Sequence, residues 1–140
     1  LNWKRIATLQ IIVAGAGTAY LVGYCMHQPL TPARIFGVSL ALVSFALWMT
    51  ARIQLGRSFS VAPKATALVT RGIYYKIRNP IYVFSATWIA GLALALGKPI
   101  ALLLVLPLIP IQAARAKRES QILEAAFGQA YRDYRRTTWF

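Results

Sequence analysis

The sequence predicts an all-α integral membrane protein with about four transmembrane helices. Three observations carry that expectation. Only 14% of the 140 residues are charged and 58% are hydrophobic, where a soluble domain carries about 25% charge; the mean hydropathy is +0.53. The apolar residues are gathered into long runs separated by polar connections. The sixteen Lys and Arg flank those runs, which is how cations distribute in cytoplasmic loops rather than on a nucleic-acid-binding face. Membrane lipids are therefore the expected partners and nucleic acid is not. The length suits one domain, residues 1–140.

The first span is expected over about 6–26. Lys4 and Arg5 precede an uncharged run from Ile6 to Met26, long enough to cross a bilayer. Its length, and the absence of a small-residue cleavage site at His27-Gln28-Pro29, favour a span over a signal peptide. Gly15, Gly17 and Gly23 either permit close helix contact or are ordinary small residues of a span. Pro29 and Pro32 break the helix, and a second span follows over about 35–53. Trp48 lies near its far end, at a level of the membrane that Trp and Tyr prefer, and Arg52 marks the exit from lipid. Cys25 is the sole cysteine and His27 the sole histidine. No intrachain disulfide and no metal site is expected, and Cys25 reads as a small packing residue.

Residues 54–79 form a polar connection, too polar for lipid and too patterned for a linker. It includes Leu55-Gly56-Arg57-Ser58-Phe59-Ser60 and Ala62-Pro63-Lys64, then a first polar island, LVTRGIYYKIRNPIY, from Leu68 to Tyr82. Gly72 is placed for a positive φ. Asn79 is an expected N-cap, with Pro80 in the first helical turn. A third span is expected over about 80–97 and a fourth over about 99–116. The two make a helical hairpin whose second arm carries Pro107 and Pro110, predicting a bend that either surrounds a ligand or serves packing alone. A second polar island runs from Arg115 to Tyr134 and holds all three acids, Glu119, Glu124 and Asp133. Gly128 is expected to stop its helix, and Tyr131, Tyr134, Trp139 and Phe140 to give the tail an aromatic face.

With the 54–79 connection inside, only Arg34 and Lys98 lie outside and fourteen of the sixteen cations lie inside. Both termini are then cytoplasmic, and the two islands share one face. Arg115 and Glu119, four apart, share one helix face. They make either a surface ion pair of little consequence or a functional pair, in which the carboxylate takes a cationic ligand and the guanidinium grips a substrate carboxylate.

LGRSFS, then LVTRGIYYKIRNPIY, then RAKRESQILEAAFGQAYRDY together resemble the isoprenylcysteine carboxyl methyltransferase family and its relatives among the phospholipid methyltransferases. The resemblance covers about Ile53 to Tyr134. It implies a membrane methyltransferase dependent on S-adenosylmethionine, with its conserved-type catalytic region over 54–134 and a lipophilic, most simply prenylated, carboxylate as acceptor. By the family's pattern Leu68, Val69, Tyr74, Asn79, Pro80, Ile81, Tyr82 and Glu119 hold the cofactor, and Arg115 addresses the substrate. The pattern's usual His is Asn79 here, which can hydrogen-bond but cannot carry a proton. It reads as the mark of a bacterial subgroup, hence of an inner-membrane protein. Three rivals stand beside this expectation: a phospholipid or small-amine methyltransferase, a sterol-type NADPH reductase, and a non-enzymatic membrane scaffold.

Overall fold

The computed structural model describes residues 3–56 and 68–139. The stretch from Arg57 through Lys64, singled out above, and Phe140 lie outside the described residues. Among the described residues five α-helices follow one another: α1 Trp3–Met26, α2 Pro32–Leu55, α3 Pro80–Ala95, α4 Leu108–Phe127 and α5 Gln129–Thr137. Short 3₁₀ turns occur at Gly72–Tyr75 and Pro99–Leu104, and no strand occurs among the described residues. The segments Thr8–Met26, Pro32–Leu55 and Ile100–Phe127 are long and apolar enough to cross a bilayer; α3, at 16 residues, is apolar but shorter. Leu9, Ile12, Val13, Phe36 and Val43 are all exposed. A coat of large apolar side chains of that extent belongs against acyl chains. The protein is an all-α integral membrane protein.

α2 and α3 pack far more closely than any other pair of helices. Glycine makes this possible. A methyl group added at Gly37 would lie 2.4 Å from the Ala95 nitrogen, and one at Gly91 would lie 2.6 Å from the Ala41 nitrogen. Small residues let two backbones meet where lipid offers no hydrophobic drive to bring helices together. The glycines that allow this approach are thus Gly37 and Gly91. In α1, Gly17 and Gly23 meet nothing within 4 Å and Gly15 makes only an ordinary contact with Phe45, so the plain alternative holds there. Cys25, 1% exposed, packs beside the end of α3 and gives its thiol to the Ala95 carbonyl at 3.3 Å, which also accepts from Arg34 Nε at 3.0 Å.

Trp48, near the far end of α2, faces the protein interior: it is 6% exposed and stacks on Trp88 at 5.9 Å, with Phe45 beside both. Such stacking adds to its burial, and Arg52 covers the Trp48 ring at 4.8 Å. One expectation about the spans needs correction. The fourth span is not one bent α-helix over 99–116. It opens as a 3₁₀ turn led by Pro99, and α4 begins only at Leu108. Pro107 is the N-cap and Pro110 falls in the first helical turn, where a missing N–H costs no intrahelical bond. The prolines fix where the helix starts.

The other punctuation follows the sequence. Thr31 caps α2, its hydroxyl accepting from Arg34 N at 3.2 Å, with Pro32 in the first turn. Gly72 has φ +64° and Gly128 has φ +52°, a region open to glycine at little cost. At Gly128 the chain turns from α4 directly into α5.

Candidate functional site

At one end of the helices lies a cavity of about 380 Å³. Gln10 of α1 and Arg52 and Leu55 of α2 reach it from one side. The Leu68–Val69 segment, Tyr74 and the first turns of α3 form a second wall. The middle of α4 forms the third, and Tyr131 and Tyr134 of α5 close it. The two polar islands therefore meet over one space. Every residue that the sequence assigns to a site lines it: Leu68, Val69, Tyr74, Asn79, Pro80, Ile81 and Tyr82 from the first island, Arg115 and Glu119 from the second.

Local structure explains the aim of each group. Asn79 occupies the N-cap position, but its side chain makes no capping bond. Its carbonyl instead accepts from Tyr82 N at 3.1 Å and Val83 N at 3.2 Å, so the amide is left on the cavity wall. Pro80 starts α3 with no N–H to satisfy and is fully buried behind that wall. Two residues on, Tyr82 reaches α4 and donates its hydroxyl to Glu119 Oε1. Arg115 lies one turn before Glu119 on α4, its guanidinium carbon 5.7 Å from the centre of the Tyr82 ring. A cation over an aromatic face is weakly attracted to it. Tyr82 thus organises both charged groups: its hydroxyl orients the carboxylate and its ring carries the guanidinium.

The rest of the wall is held by tyrosine hydroxyls. Tyr74 is buried and donates to the Ala51 carbonyl at 3.3 Å, and its own carbonyl accepts from Tyr134 at 2.5 Å. Tyr131, 1% exposed, donates to Ser120 at 2.8 Å. Burial pushes the Tyr74 phenol up, reinforced by Tyr134, Glu119 and Tyr82 and opposed by Arg52. Burial and the neighbouring Tyr131 push Tyr134 up to about 12, with Arg78 pulling the other way. The Gly72–Tyr75 turn is tied down where Ile73 N meets Gln54 Oε1 at 2.8 Å. The tail is not one aromatic face: Tyr131 and Tyr134 turn inward, while Trp139 is 73% exposed. Across the Gly128 bend, Glu124 holds Arg132 at 3.6 Å and Arg135 at 3.9 Å.

Several lining residues were not singled out by sequence reasoning. Gln112 donates to Ser85 at 3.1 Å, and Ser85 donates to the Tyr82 carbonyl at 3.0 Å. Arg52 donates to Gln10 at 3.1 Å. Polar side chains inside apolar runs are the signal that could have found them. Arg78, which stands just before Asn79 in the first island, lines the cavity, and its buried Nε has no hydrogen-bond partner among the described residues. A buried donor of that kind is costly unless something meets it.

The wall thus carries one carboxylate, three guanidinium groups, tyrosine hydroxyls and apolar sides. The phospholipid methyltransferase family matches residues 32–130, from the start of α2 into α5. The chain is also similar to Protein-S-isoprenylcysteine O-methyltransferase of Schizosaccharomyces pombe, with 38% identity over 93 residues that cover 62% of this chain and 39% of that protein. The chain thus spans about two fifths of that relative's length. The family match takes in the opening turns of α3 and the whole of α4, and with them Tyr82, Arg115 and Glu119, so the chain belongs to the phospholipid methyltransferase family.

Proposed function

We propose that the cavity binds S-adenosylmethionine and that the protein transfers a methyl group to a lipophilic acceptor at the membrane surface, the acceptor atom being a carboxylate oxygen. The observation that carries this reading is the Tyr82–Glu119 bond across the cavity, with Arg115 over the same ring. When bound, S-adenosylmethionine supplies an activated methyl group on a positively charged sulfur. Glu119 would face that positive end of the ligand, held in place by the Tyr82 hydroxyl. Arg78 also lines the cavity, and its guanidinium would meet the ligand's carboxylate. Leu68, Val69, Ile81 and the Tyr74 ring give the apolar and aromatic surface an adenosine needs, and Asn79 supplies an amide. Pro80 sets the start of α3 against it.

Arg115 presents a planar fork matched to a carboxylate and would orient the acceptor. A carboxylate arrives ionised, so no side chain has to take a proton. The chain's contribution is placement and exclusion of water, which suffice for an in-line displacement. Leu108 and Ile111 line the cavity on the apolar side of Arg115, the side from which a long-chain or prenylated acceptor would enter. Placing this end in the cytoplasm rests on the distribution of cations.

Calorimetric titration of the purified protein with S-adenosylmethionine and, separately, NADPH tests the reading. Binding of the first and not the second is expected. Binding of NADPH alone would point to a reductase, and binding of neither to a scaffold. A lipid extract incubated with methyl-labelled cofactor should yield a labelled, base-labile ester. Arg115→Ala should abolish that product while cofactor affinity changes little; survival of methylation in this variant would move the acceptor to an amine.

A further inference from the structure

We infer that the outer surface of the Gly72–Tyr75 turn and the C-terminal tail together form a binding surface for anionic phospholipid headgroups. This is distinct from the cavity, and none of the five side chains that compose it lines that cavity. Tyr75 is 60% exposed and Trp139 is 73% exposed. The two belong to segments far apart in sequence, yet Trp139 N donates to the Lys76 carbonyl at 2.9 Å and Lys76 Nζ lies 5.0 Å from the centre of the Tyr75 ring. Arg135 and Arg136 stand on the last turn of α5, four and three residues before Trp139 in the sequence. Both are exposed, and their pairing with Glu124 at 3.9 Å and Asp133 at 4.0 Å is at the long limit of an ion pair.

The depth of this surface is fixed by α2. Ile73 N bonds the Gln54 side chain and Tyr74 reaches the Ala51 carbonyl, so the turn lies against the last two turns of a helix that ends at Leu55. That is the level at which the span leaves the hydrocarbon. Trp139, tied to Lys76, shares it. An amphipathic ring at that level sits among headgroups by preference. Three cations on the two segments that carry these rings favour an anionic headgroup over a zwitterionic one, by about 1 kcal/mol per cation, or about fivefold. A water-facing patch would gain nothing from two large exposed rings.

The test uses the full chain in nanodiscs of phosphatidylcholine containing a graded fraction of brominated lipid, either phosphatidylglycerol or phosphatidylcholine. Subtracting the emission of Trp139→Phe isolates Trp139 from the other three tryptophans. Brominated phosphatidylglycerol should half-quench Trp139 at a fraction at least about fivefold lower than brominated phosphatidylcholine. Replacing Lys76, Arg135 and Arg136 together by Gln should bring the two lipids level while quenching persists. Equal quenching by the two lipids in the unaltered protein would overturn the selectivity. Trp139 open to aqueous iodide and unquenched by either lipid would overturn the surface altogether and leave it for water or a protein partner. Neither readout needs the methyl donor, so it stands or falls apart from the enzymatic reading.

Discussion

The seam between α2 and α3 and the cavity end of the molecule are built on opposite principles. Along the seam the contacts are backbone against backbone, admitted by Gly37, Gly91 and the buried Ala41 and Ala95. At the cavity the helices stand apart and are linked by side-chain hydroxyls: Tyr82 to Glu119, Tyr74 to Ala51, Tyr134 to Tyr74 and Tyr131 to Ser120. Shape holds the first region and directional polar bonds hold the second. Added volume should therefore be disastrous in one and removal of a single oxygen should be graded in the other.

Gly91→Leu is expected to have the largest effect. Its first added carbon would already collide with the Ala41 backbone, which no rotamer can relieve, and overpacking alone costs about 1–3 kcal/mol. The variant should fail to yield a monodisperse peak in detergent; normal elution and melting would mean the seam is looser than drawn. Glu119→Gln should come next. It should weaken S-adenosylmethionine by about ten- to hundredfold, the range expected for a charged hydrogen bond, with the melting temperature kept. An unchanged affinity would return Glu119 to the role of a surface charge. Tyr82→Phe keeps the ring under Arg115 and removes only the hydroxyl, so about a tenfold loss of cofactor affinity is expected, read by the same titration.

Tyr134→Phe should do least, about 1 kcal/mol of local stability, seen as faster hydrogen exchange in α5 with the seam unaffected. The same latch has a pH signature. The folded Tyr134 is raised to about 12 from an ordinary value near 10, so folding favours the protonated phenol. Its contribution is complete below about pH 10 and is lost as pH rises through about 12. Tyrosinate absorbance should appear later in the unaltered protein than in a peptide of the tail.

The sequence made the polar bonds legible more readily than the seam. Leu68 through Tyr82 and Arg115 through Glu119 stand out because polar groups are conspicuous in an apolar chain, and all nine candidates line one cavity. The seam went unread because a glycine in an apolar run carries no mark of its partner. Gly15, Gly17 and Gly23 look no different from Gly37 and Gly91 until two helices are laid together. Prolines were misread for a related reason. Pro107 and Pro110 would break a helix already begun and suit one just beginning, and only the preceding 3₁₀ turn decides between them. Gln112, Ser85 and Gln10 escaped notice because a single amide or hydroxyl is common within apolar helices.

The brevity of α3 bears on how a substrate arrives. Its 16 residues make a rod about 24 Å long, against a hydrocarbon slab of about 30 Å. Acyl chains beside it would have to shorten or compress to match it. On the function proposed above, a long-tailed carboxylate would then have less distance to rise from a thinned bilayer before it reaches Arg115.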